Sequence, residues 1–218
     1  MLDIAVVDYG MGNLRSVAKA LEHVAPDAKI GVTDSAQQIR DARRVVFPGQ
    51  GAMPDCMREM DVRGLREPLL EAAGTKPFLG ICIGLQMLFE WSEEGGVEGL
   101  GVLPGKVRRF PKDAMVNGQG AKLKVPHMGW NQVEQKMSHA LWTGIPPDSR
   151  FYFVHSYFVE ADDTQQVAGV SRYPFAFTCA VACENIFAVQ FHPEKSQSAG
   201  LRLLANFVDW NGKTHAGS

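Results

Sequence analysis

The stretch Pro77-Phe78-Leu79-Gly80-Ile81-Cys82-Ile83-Gly84-Leu85-Gln86 leaves the chain few conformations. An apolar strand reaches Gly80, the backbone turns sharply at Cys82, and an apolar helix is expected to run on to Trp91. The glycines on either side let backbone pass close to backbone, so the side chain between them stands clear of the sheet. At a helix N-terminus the dipole and the free N–H groups favour a thiolate. Cys82 is therefore a candidate nucleophile. The competing reading is a small buried hydrophobe, since free cysteine is among the most buried residue types.

The far end of the chain supplies what such a nucleophile needs. Asn185 to Phe191 form an apolar strand that ends in His192-Pro193-Glu194-Lys195-Ser196. Side chains two residues apart in extended backbone point the same way, and the intervening proline stiffens that geometry. Glu194 is thus placed to hold one ring nitrogen of His192. A base oriented by a third group, distant in sequence and adjacent in the fold, completes a Cys82, His192, Glu194 triad. Alone, His192 would read as a hydrogen-bonded histidine at a strand end.

Gly-x-Cys-x-Gly followed by His-x-Glu resembles the class I, or triad, glutamine amidotransferases, over nearly the whole chain. The turn Phe47-Pro48-Gly49-Gln50-Gly51 fits the same family, although by itself it is an ordinary strand-to-helix turn. The resemblance implies oxyanion donors at the backbone of Gln50 and Ile83. It departs at Gln50, where the subfamily often carries valine. Three further segments, Asp8 to Asn13, Pro126-His127-Met128-Gly129-Trp130-Asn131 and Tyr152 to Tyr157, are similar to one branch, the glutaminase subunits of imidazole glycerol phosphate synthases.

That resemblance implies hydrolysis of L-glutamine through a glutamyl thioester, with ammonia passed to a (β/α)8-barrel cyclase subunit in a heterodimer. It implies substrate contacts at Gly49, Gly51, Gln86, Ser156 and Tyr157. Gln86 read without it is a polar residue early in a helix. Glu90, one expected helical turn beyond Gln86, either meets the substrate ammonium or faces solvent. Trp130, Tyr152 and Lys195 match interface positions; core packing is the rival for the first two and explains Lys195 less well. Two alternatives are a glutaminase serving another synthase and a silent scaffold of the same fold. Pro126 to Asn131 weighs against the former, the intact triad against the latter.

The rest of the sequence frames this site. With 218 residues, 45% of them hydrophobic, the chain suits one domain over 1–210 with a polar tail over 211–218. The strands Leu2 to Val7, Lys29 to Thr33, Arg44 to Phe47 and Phe78 to Ile81 alternate with helical patterns at Asn13 to His23 and Ala52 to Ala73. They predict an α/β, doubly wound, mostly parallel sheet flanked by helices. From Val102 to Phe191 short strands predict an added antiparallel region, including a hairpin from Phe175 turning at Glu184-Asn185, before a last helix at Ala199 to Trp210.

A net charge of -2 gives no reason to expect nucleic acid. Lys106, Arg108, Arg109 and Lys112 read as a half-exposed strand, with a binding edge as the alternative. Gly10-x-Gly12 lacks the third glycine of a dinucleotide fingerprint and no Walker A sequence occurs, so no cofactor is expected. Cys179 and Cys183 have no matching pair for metal ligation and read as packing residues, with Cys56 the fourth cysteine. The N-terminus lacks the basic region of a secretory signal and no stretch is long enough for a bilayer. A reducing, cytoplasmic setting without membrane contact follows.

Overall fold

Alternating apolar strands and amphipathic helices in the first third of the chain build a parallel sheet. A computed structural model describes residues 1–111, 115–116 and 118–213. Its first part runs β1 (Ile4–Val7), α1 (Leu14–Val24), β2 (Ile30–Thr33), α2 (Ala36–Asp41), β3 (Arg44–Gly49), α3 (Met53–Val62), α4 (Arg66–Ala73), β4 (Phe78–Cys82) and α5 (Ile83–Met87). There follow β5 (Phe89–Ser92), β6 (Val97–Glu98), β7 (Leu103–Arg109), β8 (His127–Gln132), β9 (Glu134–Gln135), β10 (Arg150–His155) and β11 (Tyr157–Ala161). The chain closes with β12 (Val167–Arg172), β13 (Ala176–Cys183), β14 (Ile186–Val189) and α6 (Gln197–Asp209).

Among the described residues the main sheet follows the order β2-β1-β3-β4-β14-β13-β11-β7-β5-β6, with β12 and β9 continuing from β13. The pairings from β2 through β14 are parallel, and those of β14 with β13, β13 with β11 and β11 with β7 are antiparallel. The antiparallel region expected after Val102 is thus an extension of the same sheet, and β14 returns from it to lie beside β4. A separate two-stranded ribbon, β8 with β10, stands off this sheet. β1, β3, β4 and β14 are buried along almost their whole length, as parallel strands covered on both faces must be. The helices pack in pairs, α1 on α6, α2 on α4 and α3 on α5. The hairpin β13–β14 turns at Glu184, whose φ is 50°.

Three sequence expectations need correction. The elbow helix does not reach Trp91: α5 has five residues, and Phe89–Ser92 is a strand paired with β7. A continuous apolar run does not distinguish helix from buried strand, and here pairing with Leu103–Val107 decides for the strand. β3 continues past Phe47, with Pro48 opposite Ile81 and Gly49 opposite Cys82. The short helix α2 was not anticipated, although Ser35 and Gln38 carried its signal. The Ser35 hydroxyl accepts from the Gln38 N–H at 3.3 Å, half of a capping box.

The basic stretch behaves as a half-exposed strand at Lys106 to Arg109, alternating buried and exposed, with Arg108 bonded to Glu160 across the β7–β11 pair. Lys112 lies outside the described residues. Of the expected tail, Asn211 to Lys213 are described and tied back by the Trp210 indole, which donates to the Lys213 carbonyl at 2.7 Å. Residues 214–218 lie outside the described residues.

Backbone meets backbone at the elbow. A Cβ at Gly84 would sit 1.9 Å from the Phe47 carbonyl oxygen, and one at Gly80 2.9 Å from Ala188 Cβ. We expect Gly84→Ala to lower stability by about 2–3 kcal/mol, because backbone on β3 cannot yield as a flexible side chain would. Chemical denaturation followed by circular dichroism checks this, and a midpoint equal to wild type would show that α5 is free to shift.

Candidate active site

Parallel strands that end together create a crevice at their carboxyl ends, and three of them do so here. β3 ends at Gly49, β4 at Cys82, and β14 leads through Gln190 and Phe191 to His192. Cys82 sits at the elbow with φ 56° and ψ -109°, a strained conformation for a residue with a side chain. It is buried, 4% exposed, so it does not stand clear as the elbow alone suggested. Its one open side faces a cavity of about 410 Å³. Gln50, Gly51, Ile83, Gln86, Ser156, Tyr157, His192 and Lys195 line that cavity with it, and so does Glu94.

His192 Nδ1 donates to Glu194 Oε1 at 2.9 Å, and both side chains are almost fully enclosed. Burial by itself pushes the imidazole pKa down. The charge and acceptor capacity of the Cys82 sulfur, followed by the Glu194 carboxylate, outweigh it and raise His192 to about 10. The histidine backbone is fixed as well. His192 N–H donates to the Tyr152 carbonyl at 2.9 Å, while the Ser196 hydroxyl donates to the His192 carbonyl at 2.6 Å and accepts from the Tyr152 N–H at 3.0 Å.

Gly49 is needed for close approach, since a Cβ there would lie 2.0 Å from the Tyr9 hydroxyl. The positive φ in this turn belongs to Gly51, at 112°. Beneath Cys82 two buried amides interlock. Gln86 Nε2 donates to Gln190 Oε1 at 2.9 Å and to the Tyr157 carbonyl at 3.3 Å, and Gln190 Nε2 donates to Cys82 Sγ at 3.8 Å. Gln190 was not singled out from the sequence. It stands in a strand of apolar residues, and a polar side chain interrupting such a run two residues before His192 was the available signal.

A family model described as glutamine amidotransferase class-I matches residues 5–210. The imidazole glycerol phosphate synthase subunit HisH of Nitrosospira multiformis is 69% identical over 96% of this chain and 99% of its own length. The subunit of that name from Thiobacillus denitrificans is 66% identical over 99% and 94%. This chain belongs to the class I glutamine amidotransferases, in their HisH branch. The structure of PurLQS from Thermotoga maritima shares the amidotransferase fold at a TM-score of 0.68 and 19% identity, covering 96% of this chain and 99% of that one.

Within the amidotransferase frame the remaining expected residues separate. Glu90 is on β5 and not on a helix, its carboxylate accepts from the Gly105 N–H at 3.2 Å, and it does not line the cavity. Glu94 does line it, while also accepting from the Met53 N–H at 2.9 Å. Glu94 carried no distinguishing pattern, because it falls in an acidic turn after a strand read as helix. Trp130 and Tyr152 are cross-strand partners on the ribbon, with rings edge to face at 6.1 Å, and Lys195 Nζ lies 6.0 Å from the Tyr152 ring. These three therefore form one cluster, of which Lys195 lines the cavity. Among the described residues no group of three His, Cys, Asp or Glu side chains is arranged to hold a metal ion.

Three other histidines are buried and kept neutral. Burial lowers His127 to about 4, His139 to about 4 and His155 to about 3. Their ordinary value is near 6.5, so between that pH and about 4 the unfolded chain binds protons that the folded protein refuses. Their contribution to stability is complete above about pH 6.5 and is lost as the pH falls through that window. The raised His192 acts in the opposite sense, its contribution being lost as the pH rises from about 6.5 through about 10. Urea midpoints should therefore drop between pH 7.5 and 4.5, and NMR ring shifts should report all three as neutral near pH 5. Protonated rings at that pH in the folded protein would contradict the assignment.

Proposed function

We propose that this chain hydrolyses L-glutamine to glutamate and delivers the ammonia to a separate (β/α)8-barrel cyclase, forming with it a heterodimeric, cytoplasmic imidazole glycerol phosphate synthase. The observation that carries the reading is the buried His192–Glu194 pair, whose histidine lines one cavity with the strained Cys82. The full-length likeness to the HisH subunits supports the choice of synthase. One continuous sheet and a family match ending at residue 210 support reading 1–210 as a single amidotransferase domain. No helix among the described residues is long and apolar enough to cross a membrane.

In this reading the Cys82 thiolate attacks the side-chain carbonyl carbon of glutamine. The C–O π pair moves to oxygen, where the Gln50 and Ile83 N–H groups receive it; one such donor is typically worth on the order of 3 kcal/mol. The His192 imidazolium gives its proton to the amide nitrogen as the C–N bond breaks, releasing ammonia and leaving a thioester. His192 then takes a proton from water, which attacks the thioester and frees glutamate and the thiolate. Glu194 holds the imidazole orientation throughout and transfers no proton. The interlocked Gln86 and Gln190 amides seat the nucleophile, Gly49 and Gly51 shape the wall, and Ser156 and Tyr157 meet the amino-acid end through backbone. Glu94, the carboxylate that lines the cavity, takes the ammonium role that the helical reading gave to Glu90.

Ammonia released into bulk water is protonated and lost as a nucleophile, so the cavity's rim must seal against the partner. Met128 and Trp130 are exposed large hydrophobics, 62% and 38%, on a ribbon that also carries Tyr152. Together with Lys195 they offer an apolar face with one cation, suited to a partner surface bearing a carboxylate.

Cys82→Ala is expected to abolish glutamine-dependent synthesis by the complex and to leave synthesis from added ammonium salt intact. Parallel assays with the two nitrogen sources check this, and equal loss of both would make Cys82 structural. Glu194→Gln should reduce turnover by roughly tenfold to a thousandfold while leaving measurable activity, since the donor Nδ1–H loses a charged acceptor. Steady-state kinetics matching wild type would remove Glu194 from the triad.

A further inference from the structure

The corner at Ser156 is where the chain leaves the ribbon strand β10 and enters β11 of the main sheet, and a single residue separates the two. The Ser156 carbonyl accepts from the Phe110 N–H at 3.1 Å, which ties one side of the joint to the end of β7. The His155 ring closes the joint, with Nδ1 bonded to the Tyr157 carbonyl at 2.7 Å. A carbonyl only accepts, so this nitrogen carries the proton and Nε2 of the neutral ring must accept. His127 Nδ1 lies 2.9 Å from His155 Nε2 and is therefore the donor. His127 Nε2 is left to accept from Asn131 Nδ2 at 3.3 Å, and the same Asn131 nitrogen donates to the Arg172 carbonyl at 2.8 Å. Every proton in the series has one place, and the series has one direction.

The two rings sit in an aromatic enclosure. His127 stacks on Tyr173 at 4.0 Å and on Phe153 at 4.9 Å, and Phe110 and Phe177 each lie 5.2 Å from His155. Apolar side chains of similar shape would fill this space with little loss of stability, because the bond between the rings goes with both its partners, while the Tyr157 carbonyl keeps Gln86 and Asn131 keeps the Arg172 carbonyl. Two polar rings here are thus poorly explained by stability alone. Their terminal acceptor is the Tyr157 carbonyl, which also receives Gln86 from beneath the nucleophile, and His155 itself lines the cavity.

We infer that His127 and His155 are positioning residues for glutamine: their directed hydrogen-bond series from Asn131 holds the Ser156–Tyr157 corner in the form that receives the amino-acid end of the substrate. This rests on the glutaminase reading above. The rings touch neither the sulfur nor the scissile amide, so they act on how substrate is seated and little on the chemical step once it is seated.

The test uses the complex with the cognate cyclase and the double variant His127→Leu with His155→Leu. Its melting temperature and its turnover from ammonium salt should match wild type, while KM for glutamine rises roughly tenfold and kcat changes less, the effect of losing about one hydrogen bond's worth of seating. His155→Asn, whose side-chain N–H starts from the same carbon and reaches the Tyr157 carbonyl, should recover most of the affinity. His155→Gln, which places its amide one bond further out, should not. A glutamine KM within about twofold of wild type in the double variant overturns the inference. If the double variant does not fold, equal KM values for His155→Asn and His155→Gln overturn it instead. Loss of ammonium-driven turnover in step with glutamine-driven turnover would make the pair merely structural and also overturn it. Failure of the wild-type complex to hydrolyse glutamine at all would overturn the glaminase reading beneath it, a result recognisable without any variant.

Discussion

Everything at this site hangs on backbone meeting backbone at Gly84. The Phe47 carbonyl oxygen occupies the space where a side chain at 84 would begin, so the first turn of α5 lies directly against β3. That contact accompanies a reversal at Cys82 with a positive φ and brings the end of β3 level with it, Gly49 opposite Cys82 in the parallel register. On the other flank Gly80 admits Ala188, which draws β14 against β4 and sets His192 just beyond the same edge. Two glycines therefore fix three strand ends relative to one another. The chemistry then needs only the side chains that those ends carry.

The features legible in the sequence were those whose cause is local. A cysteine between two glycines after an apolar strand, and a histidine and a glutamate spaced by a proline, each specify their own backbone, and the structure places Cys82 and His192 on one cavity with Glu194 bonded to His192. The parallel half of the sheet was legible for the same reason, since β1, β3 and β4 are continuous apolar runs bounded by turns. The reading failed where a distant partner decides. Phe89 to Ser92 looked like more helix until Leu103–Val107 paired with it, and that error carried Glu90 into the site and left Glu94 out. Gln190 and the His127–His155 pair have no local signature, because their partners lie 108 and 28 residues away along the chain.

The return of β14 to the parallel half also explains why the antiparallel extension is no mere ornament. His192 is reached only after the chain has travelled through β7, the ribbon and the β13–β14 hairpin, so this side chain is delivered by the very region that departs from a simple doubly wound sheet. Its backbone is then bonded back to Tyr152 on the ribbon and to Ser196 at the start of α6.

The ribbon itself has two faces with different neighbours. Trp130 pairs with Tyr152 and His127 with His155, three rungs apart in one antiparallel ladder, so the two pairs point to opposite sides. One side presents exposed Trp130, the other the enclosed rings that end at the Tyr157 carbonyl. Two-stranded ribbons twist more than wide sheets do. Rotation of such a ribbon about its long axis displaces its two faces in opposite senses, as the ends of a seesaw move, so its outer surface and the substrate corner are geometrically conjugate.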